Sequence, residues 1–258
     1  MTTRKGKHSM TAPANQRLAD AEYQERIVSS FDSATGTVAE KLASFPRFVP
    51  MADLGRFLAL ARIFERILGV HGSIVECGVH LGGGLMTWTK LSAILEPLNH
   101  VRKVVGFDSF AGFTAIDARD VAGARGNPHL KRGGLAAGVQ AELARDIADF
   151  DAVRPLGHIP KASLVAGDAC ETIPRFLADN PHFVCALLYL DFDLYQPTRV
   201  AIESFLPRMP RGAVIAFDEL NIEQWPGETQ AVLDTVGLRA LRLERFPHQP
   251  QISFAVLD

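Results

Sequence analysis

Residues 73–84 read SIVECGVHLGGG, and this stretch decides the fold. Ser73–Cys77 is a short apolar run with β-branched residues at its centre, and glycines follow at 78, 82, 83 and 84 before a run of helical composition. A buried strand that feeds a glycine turn and then a helix is the opening unit of a ligand-binding α/β sheet. Phosphate does not suit this turn. A phosphate loop needs GxxxxGK[ST]; Gly78 and Gly83 have that spacing, but Gly84 and Leu85 stand where Lys and Ser or Thr are required. A dinucleotide fingerprint needs GxGxxG, and His80 replaces its second glycine. Glu76 at the strand tip would also repel a pyrophosphate. S-adenosylmethionine has no phosphate; it carries an ammonium, a carboxylate and a sulfonium. An acid at a strand tip beside the free N–H groups of a helix start suits that charge pattern. The plain alternative is a tight turn with a solvated Glu76.

Outward from this unit the same texture repeats. Strands are expected at 73–77, 103–107, 163–167, 184–190, 212–217, 241–246 and 252–257, with helices near 84–96, 135–149, 170–179, 198–207 and 228–236. Continuous apolar strands alternating with helices predict a parallel sheet covered on both faces. The last two strands are linked only by PHQPQ, too short for a helical crossover, so they pair antiparallel. The expected fold is α/β: a Rossmann-like, doubly wound, mostly parallel seven-stranded sheet with a C-terminal antiparallel hairpin. Residues 111–134 are polar and Gly-rich, which reads as a mobile lid or a disordered excursion.

Upstream, residues 1–20 read as a disordered tail and 21–70 as a helical region, with Asp53 as a candidate N-cap; residues 71–258 form the ligand-binding domain. Composition narrows the function. Of 258 residues 47% are apolar and 22% charged, with a net charge of −2, which disfavours a nucleic-acid partner. No apolar run approaches the length that spans a bilayer, and the start lacks a secretory signal, so neither a membrane partner nor export is expected. Cys77, Cys170 and Cys185 are odd in number and far apart, which argues against disulfides and thiolate zinc and fits a cytoplasmic location. Oligomeric state stays open, a homo-oligomer included.

Acids recur at the strand tips. Asp108-Ser109 follows the second strand, where an acid takes ribose hydroxyls. Asp168-Ala169 follows the third, where Asp168 contacts adenine or caps the next helix. Asp191 and Asp193 end the fourth, and Asp218-Glu219 the fifth. Adjacent parallel strands lie about 5 Å apart. These four carboxylates therefore crowd together, which is costly without protons or a cation. Oxygen ligands of this kind suit Mg²⁺ or Mn²⁺. Helix caps and solvated turn acids are the plain alternative. If the fourth strand continues through Asp193, Asp191 and Asp193 share a face; Asp191 then binds metal and Asp193 takes a proton.

ECGVHLGGG, FDSF, YLDFDLYQPT, FDEL and WPGET together resemble the macrocin/mycinamicin-type O-methyltransferases, from about Val49 to the C-terminus. The resemblance implies a class I methyltransferase that modifies a hydroxyl of a sugar or glycosylated natural product. It implies metal ligands at Asp191, Asp218 and Glu219, a general base at Asp193, and cofactor contacts at Glu76, Gly78, Asp108 and Asp168; Gly82, Gly83, Ser109, Ala169 and Asp191 complete the expected cofactor set. The chain departs from the family in having Asp218-Glu219 where an Asp-Asp pair is common, and Leu81 where Arg precedes the glycines.

The expected chemistry is in-line methyl transfer, with the metal acidifying an acceptor hydroxyl and Asp193 taking its proton. Tyr195 and Trp225 are candidates to stack on a sugar ring, Tyr195 equally to pack under the sheet's edge; His129 and Lys131 sit in the insertion, His129 more simply as a solvated loop histidine. Three rivals remain on this reading: a metal-dependent catechol or vicinal-diol O-methyltransferase, a non-catalytic S-adenosylmethionine-binding protein, and a metal-dependent hydrolase.

Overall fold

The computed structural model describes residues 18–124 and 126–258. The tail expected at 1–20 lies outside them except for 18–20, which begin the first helix. The chain forms two compact units, Met1–Gly55 and Arg56–Asp258. In the first, helices α1 (Leu18–Ser33) and α2 (Val38–Ala43) are joined by a short link. Thr37 starts α2 with a reciprocal cap: its side chain accepts from Glu40 N, and Glu40 answers the Thr37 N–H at 2.7 Å. Phe31 meets Phe48 edge to face at 5.2 Å, and Lys41 Nζ donates to the Phe31 carbonyl. Helix α3 (Met51–Arg66) starts here and continues into the second unit. Asp53 lies within its first turn rather than at its N-cap, where a carboxylate still favours the helix through the macrodipole.

The second unit is a seven-stranded sheet in the order β3-β2-β1-β4-β5-β7-β6. The strands are β1 (Ser73–Cys77), β2 (Val104–Asp108), β3 (Ala162–Ala166), β4 (Cys185–Leu190), β5 (Val214–Phe217), β6 (Glu244–Phe246) and β7 (Gln249–Val256). The first five are mutually parallel; β7 runs antiparallel to β5 and pairs antiparallel with β6, which is the expected hairpin. Helices α4 (Gly83–Leu95), α6 (Gln140–Val153), α7 (Ala169–Asp179), α8 (Tyr195–Phe205) and α9 (Pro226–Asp234) complete the alternation, with a short α5 (Ala118–Val121) inside the 111–134 insertion.

The central strands β1, β2, β4 and β5 are buried on both faces, which is why they read as unbroken apolar runs. Ile74, Val104, Leu187, Tyr189 and Val214 join the core under α3 and α4. Their neighbours Val75, Val105, Leu188, Leu190 and Ile215 join the core under α7 and α8. Strand order reverses between β1 and β4. In open α/β sheets ligands bind beyond the strand ends at such a reversal, and that is where Glu76 and Asp191 stand.

Candidate active site

The turn after β1 is shaped by close backbone approach. Gly78 has φ +95°, and a Cβ there would lie 1.9 Å from the Asp191 carbonyl oxygen, so glycine lets the tips of β1 and β4 touch. A Cβ on Gly84 would fall 2.2 Å from Glu76 Oε1, so the start of α4 closes directly over the Glu76 carboxyl group. Glu76 is buried, and its Oε2 has no hydrogen-bond partner among the described residues. Burial and the neighbouring Asp191 raise its pKa well above the usual carboxyl range. Helix α4 begins after left-handed Gly82 with no side-chain cap, and the Cβ position of Gly83 faces open space.

The other expected cofactor residues are placed around this turn, with structural duties of their own. Asp108 Oδ2 accepts from the Val79 and His80 N–H groups at 2.8 Å each, and Oδ1 accepts from Phe110 N. One of the roughly four acceptor positions of a carboxylate is left for a ligand. Ser109 Oγ donates to the Gly112 carbonyl and accepts from Ala111 N. Asp168 caps α7 by accepting from Cys170 N at 2.8 Å, with Ala169 buried behind it.

The acidic residues converge, though not in the way strand alternation implies. Strand β4 ends at Leu190, and Asp193 has φ +63°. Asp191 and Asp193 therefore do not share a pleated face. A left-handed residue, tolerated by a short polar side chain, turns the backbone sharply before α8 starts. Asp193 is buried, and burial together with Asp191, Glu219 and Asp218 pushes its pKa well above the usual value. Burial and then Asp218 raise Asp191 to about 7, and burial with Asp218 and Asp191 raises Glu219 to about 9. Glu219 Oε2 is buried without a hydrogen-bond partner among the described residues.

A residue from α3 organises this cluster. Arg56 Nη2 donates to Asp191 Oδ2 at 2.8 Å, and its Nη1 donates to Asp218 Oδ1 at 2.5 Å. Tyr189 Oη donates to the same Asp218 oxygen at 2.7 Å, and the Arg56 guanidinium lies over the Tyr189 ring at 5.8 Å. Glu228, fully buried in α9, accepts the Glu219 N–H through Oε1. Sequence reasoning missed Arg56 and Glu228. The signal for Arg56 was present: it lies three, four, seven and eight residues before Ala59, Leu60, Ile63 and Phe64, the buried stripe of its helix. An arginine on that stripe needs a carboxylate partner.

The donor set bears on the expected metal. Hard carboxylate oxygens, one of them buried and unpartnered on Glu219, suit Mg²⁺ or Mn²⁺ chemically. Among the described residues, however, no three His, Cys, Asp or Glu side chains form a closed metal-holding group, and two of the three expected ligands are held by Arg56.

The insertion is strapped down. Asp120 Oδ1 accepts from Tyr195 N and Oδ2 from Asp117 N; Gln196 donates to Asp117, and Asn127 donates to the Gln224 carbonyl. Tyr195 is buried, with Oη on Asp234 and Arg119 stacked on its ring at 4.2 Å, so it packs rather than offering a face to a sugar. Trp225 is half-buried and meets Phe113 edge to face at 5.7 Å. His129 is also half-buried, and Lys131 is exposed.

The macrocin-O-methyltransferase (TylF) family model matches residues 13–235. The chain belongs to this family. It is therefore an enzyme of the O-methyltransferase class. Calicheamicin methyltransferase CalS11 is 32% identical, with 93% of each chain covered and a TM-score of 0.88. A second structure of CalS11, described as a TDP-rhamnose 3′-O-methyltransferase of calicheamicin biosynthesis, is 30% identical, with 93% of this chain and 95% of that chain covered and a TM-score of 0.80. The O-methyltransferase NovP shares the fold at 21% identity, a TM-score of 0.63 and coverage of 79% and 80%. Among curated proteins none matches the chain significantly. No helix among the described residues is long and apolar enough to cross a membrane.

Proposed function

We propose that this enzyme transfers a methyl group from S-adenosylmethionine to a hydroxyl of a sugar or glycosylated small molecule, assisted by Mg²⁺ or Mn²⁺. The observation that carries the reading is the meeting of Asp191, Asp193, Asp218 and Glu219 at the tips of β4 and β5, beside buried Glu76 on β1. S-adenosylmethionine supplies an electrophilic methyl carbon on a sulfonium. Glu76 Oε2, unpartnered and enclosed, is the group for its ammonium, and the uncapped start of α4 is the group for its carboxylate. Asp108 and Asp168 stand at the next two tips, for ribose and adenine.

A divalent metal held by Asp191, Asp218 and Glu219 would lower the pKa of an acceptor hydroxyl. Asp193 is the base. Its backbone is left-handed, and its carboxyl group is buried beside Asp191, Glu219 and Asp218, at the centre of the acidic cluster where an acceptor hydroxyl would lose its proton. Phe113 and Trp225 form a half-buried aromatic pair for the face of a sugar ring. CalS11 acts on TDP-rhamnose by its description, and nucleotide-linked deoxysugars are accordingly the first acceptors to test.

The experiment is turnover of methyl-labelled S-adenosylmethionine across a panel of nucleotide sugars and glycosides, with S-adenosylmethionine binding measured by calorimetry. Label in a sugar product supports the reading. Absence of S-adenosylmethionine binding contradicts it, and label only in catechols would move the acceptor class.

A further inference from the structure

We propose that Arg56 is an internal cation latch: its guanidinium bridges Asp191 and Asp218 in the place a divalent metal would take, so metal binds only when Arg56 swings out. This rests on the metal reading of the site given above. One planar fork spans two carboxylates from neighbouring strands, with Nη2 on Asp191 at 2.8 Å and Nη1 on Asp218 at 2.5 Å. A divalent cation drawing on the same two carboxylates would stand beside the guanidinium, and like charges in a partly buried site repel strongly. The two cations therefore exclude one another.

Arg56 is built for both positions. Its Cα sits on the buried stripe of α3, and the Tyr189 ring supports the inward pose. Its side chain is 32% exposed, against 9% for Asp218, so Arg56 is the more accessible partner of that pair. A long aliphatic stem lets the charged head leave while the stem keeps its packing. The partners Arg56 gives up are not stranded, because the incoming metal neutralises them. Glu219, whose buried Oε2 has no hydrogen-bond partner among the described residues, would join the donor set at that step. Arg56 thus keeps the acid cluster compensated before metal arrives and sets the metal concentration at which the site is loaded.

The test is Mn²⁺ titration of the EDTA-stripped full chain, read from the free-ion electron paramagnetic resonance signal. Wild type is compared with Arg56→Gln and Arg56→Lys, and unfolding midpoints are taken with and without Mn²⁺. Arg56→Gln is expected to bind Mn²⁺ about ten-fold tighter or more. It should also melt lower without Mn²⁺ and gain more from Mn²⁺ than wild type does. Arg56→Lys keeps the charge without the fork, so its affinity should fall between the other two. Equal or weaker binding by the variants overturns the latch and leaves the metal reading standing. Failure of all three proteins to bind Mn²⁺ overturns both.

Discussion

Glu228 Oε1 lies 2.9 Å from the backbone nitrogen of Glu219 and accepts its hydrogen bond. A fully buried acid on α9 thereby fixes the backbone of the turn that carries Asp218 and Glu219. Burial drives the Glu228 pKa well upward, which favours its neutral form. Glu228→Gln keeps the acceptor oxygen and should cost under about 1 kcal/mol in urea unfolding. Glu228→Ala strands the Glu219 N–H and opens a cavity, and should cost about 2–4 kcal/mol with a fall in kcat. Equal stability of the two variants would count against this role.

Asp193→Asn tests the base. Asparagine tolerates the left-handed backbone at φ +63°, so the turn should survive. S-adenosylmethionine affinity should stay within about three-fold of wild type, while kcat falls by about 10²–10⁴. A variant with wild-type kcat would remove Asp193 from the mechanism.

Gly78 is where the tips of β1 and β4 touch. In Gly78→Ala the new methyl would meet the Asp191 carbonyl oxygen at 1.9 Å, at a backbone conformation alanine disfavours. The expected loss is about 2 kcal/mol or more of stability, together with weaker S-adenosylmethionine binding, because Asp191 and Glu76 would move apart. Denaturant unfolding and calorimetry read the two effects; an unchanged variant would show that the contact is slack.

Lys161 gives a pH dependence independent of the acids. It is buried, its Nζ donates to the Asn99 carbonyl, and burial, against the pull of Glu96, lowers its pKa from 10.5 to about 8. Below pH 8 both folded and unfolded chains hold the proton, and folding carries the full cost of burying the charge. Between about 8 and 10.5 the unfolded chain binds more protons than the folded one, so this group's contribution raises stability with pH. Relative to Lys161→Met, wild type should gain on the order of 1–3 kcal/mol across that window. Parallel stability profiles for the two proteins would contradict the assignment.

The sheet was readable because its central strands are covered on both faces, which leaves runs such as Cys185–Leu190 buried throughout. The strand-tip acids were readable because a doubly wound sheet brings tips together whatever the loops do. The stripe of α3 could mark Arg56 as needing a carboxylate but not say which, because its partners Asp191 and Asp218 are 135 and 162 residues away. Asp193 was expected at the site, but its left-handed backbone follows from the sharp entry into α8, which no periodicity encodes. For Tyr195 the sequence left stacking on a sugar and packing equally open; it packs, between Arg119 and Asp234, residues of two different helices that only the fold brings together. The insertion looked loose from composition alone, since the bonds of Asp120 and Asn127 to Tyr195 and Gln224 are tertiary.

The most direct measurement is methyl-transfer turnover on an accepted sugar before and after treatment with EDTA, followed by addition of Mg²⁺ or Mn²⁺. Loss of turnover after chelation and its recovery on adding the ion are the result predicted for strand-tip carboxylates that gather around a divalent cation. Full turnover in excess EDTA would mean that Arg56 and the protein's own protons suffice to balance those acids, and would contradict the metal-assisted account.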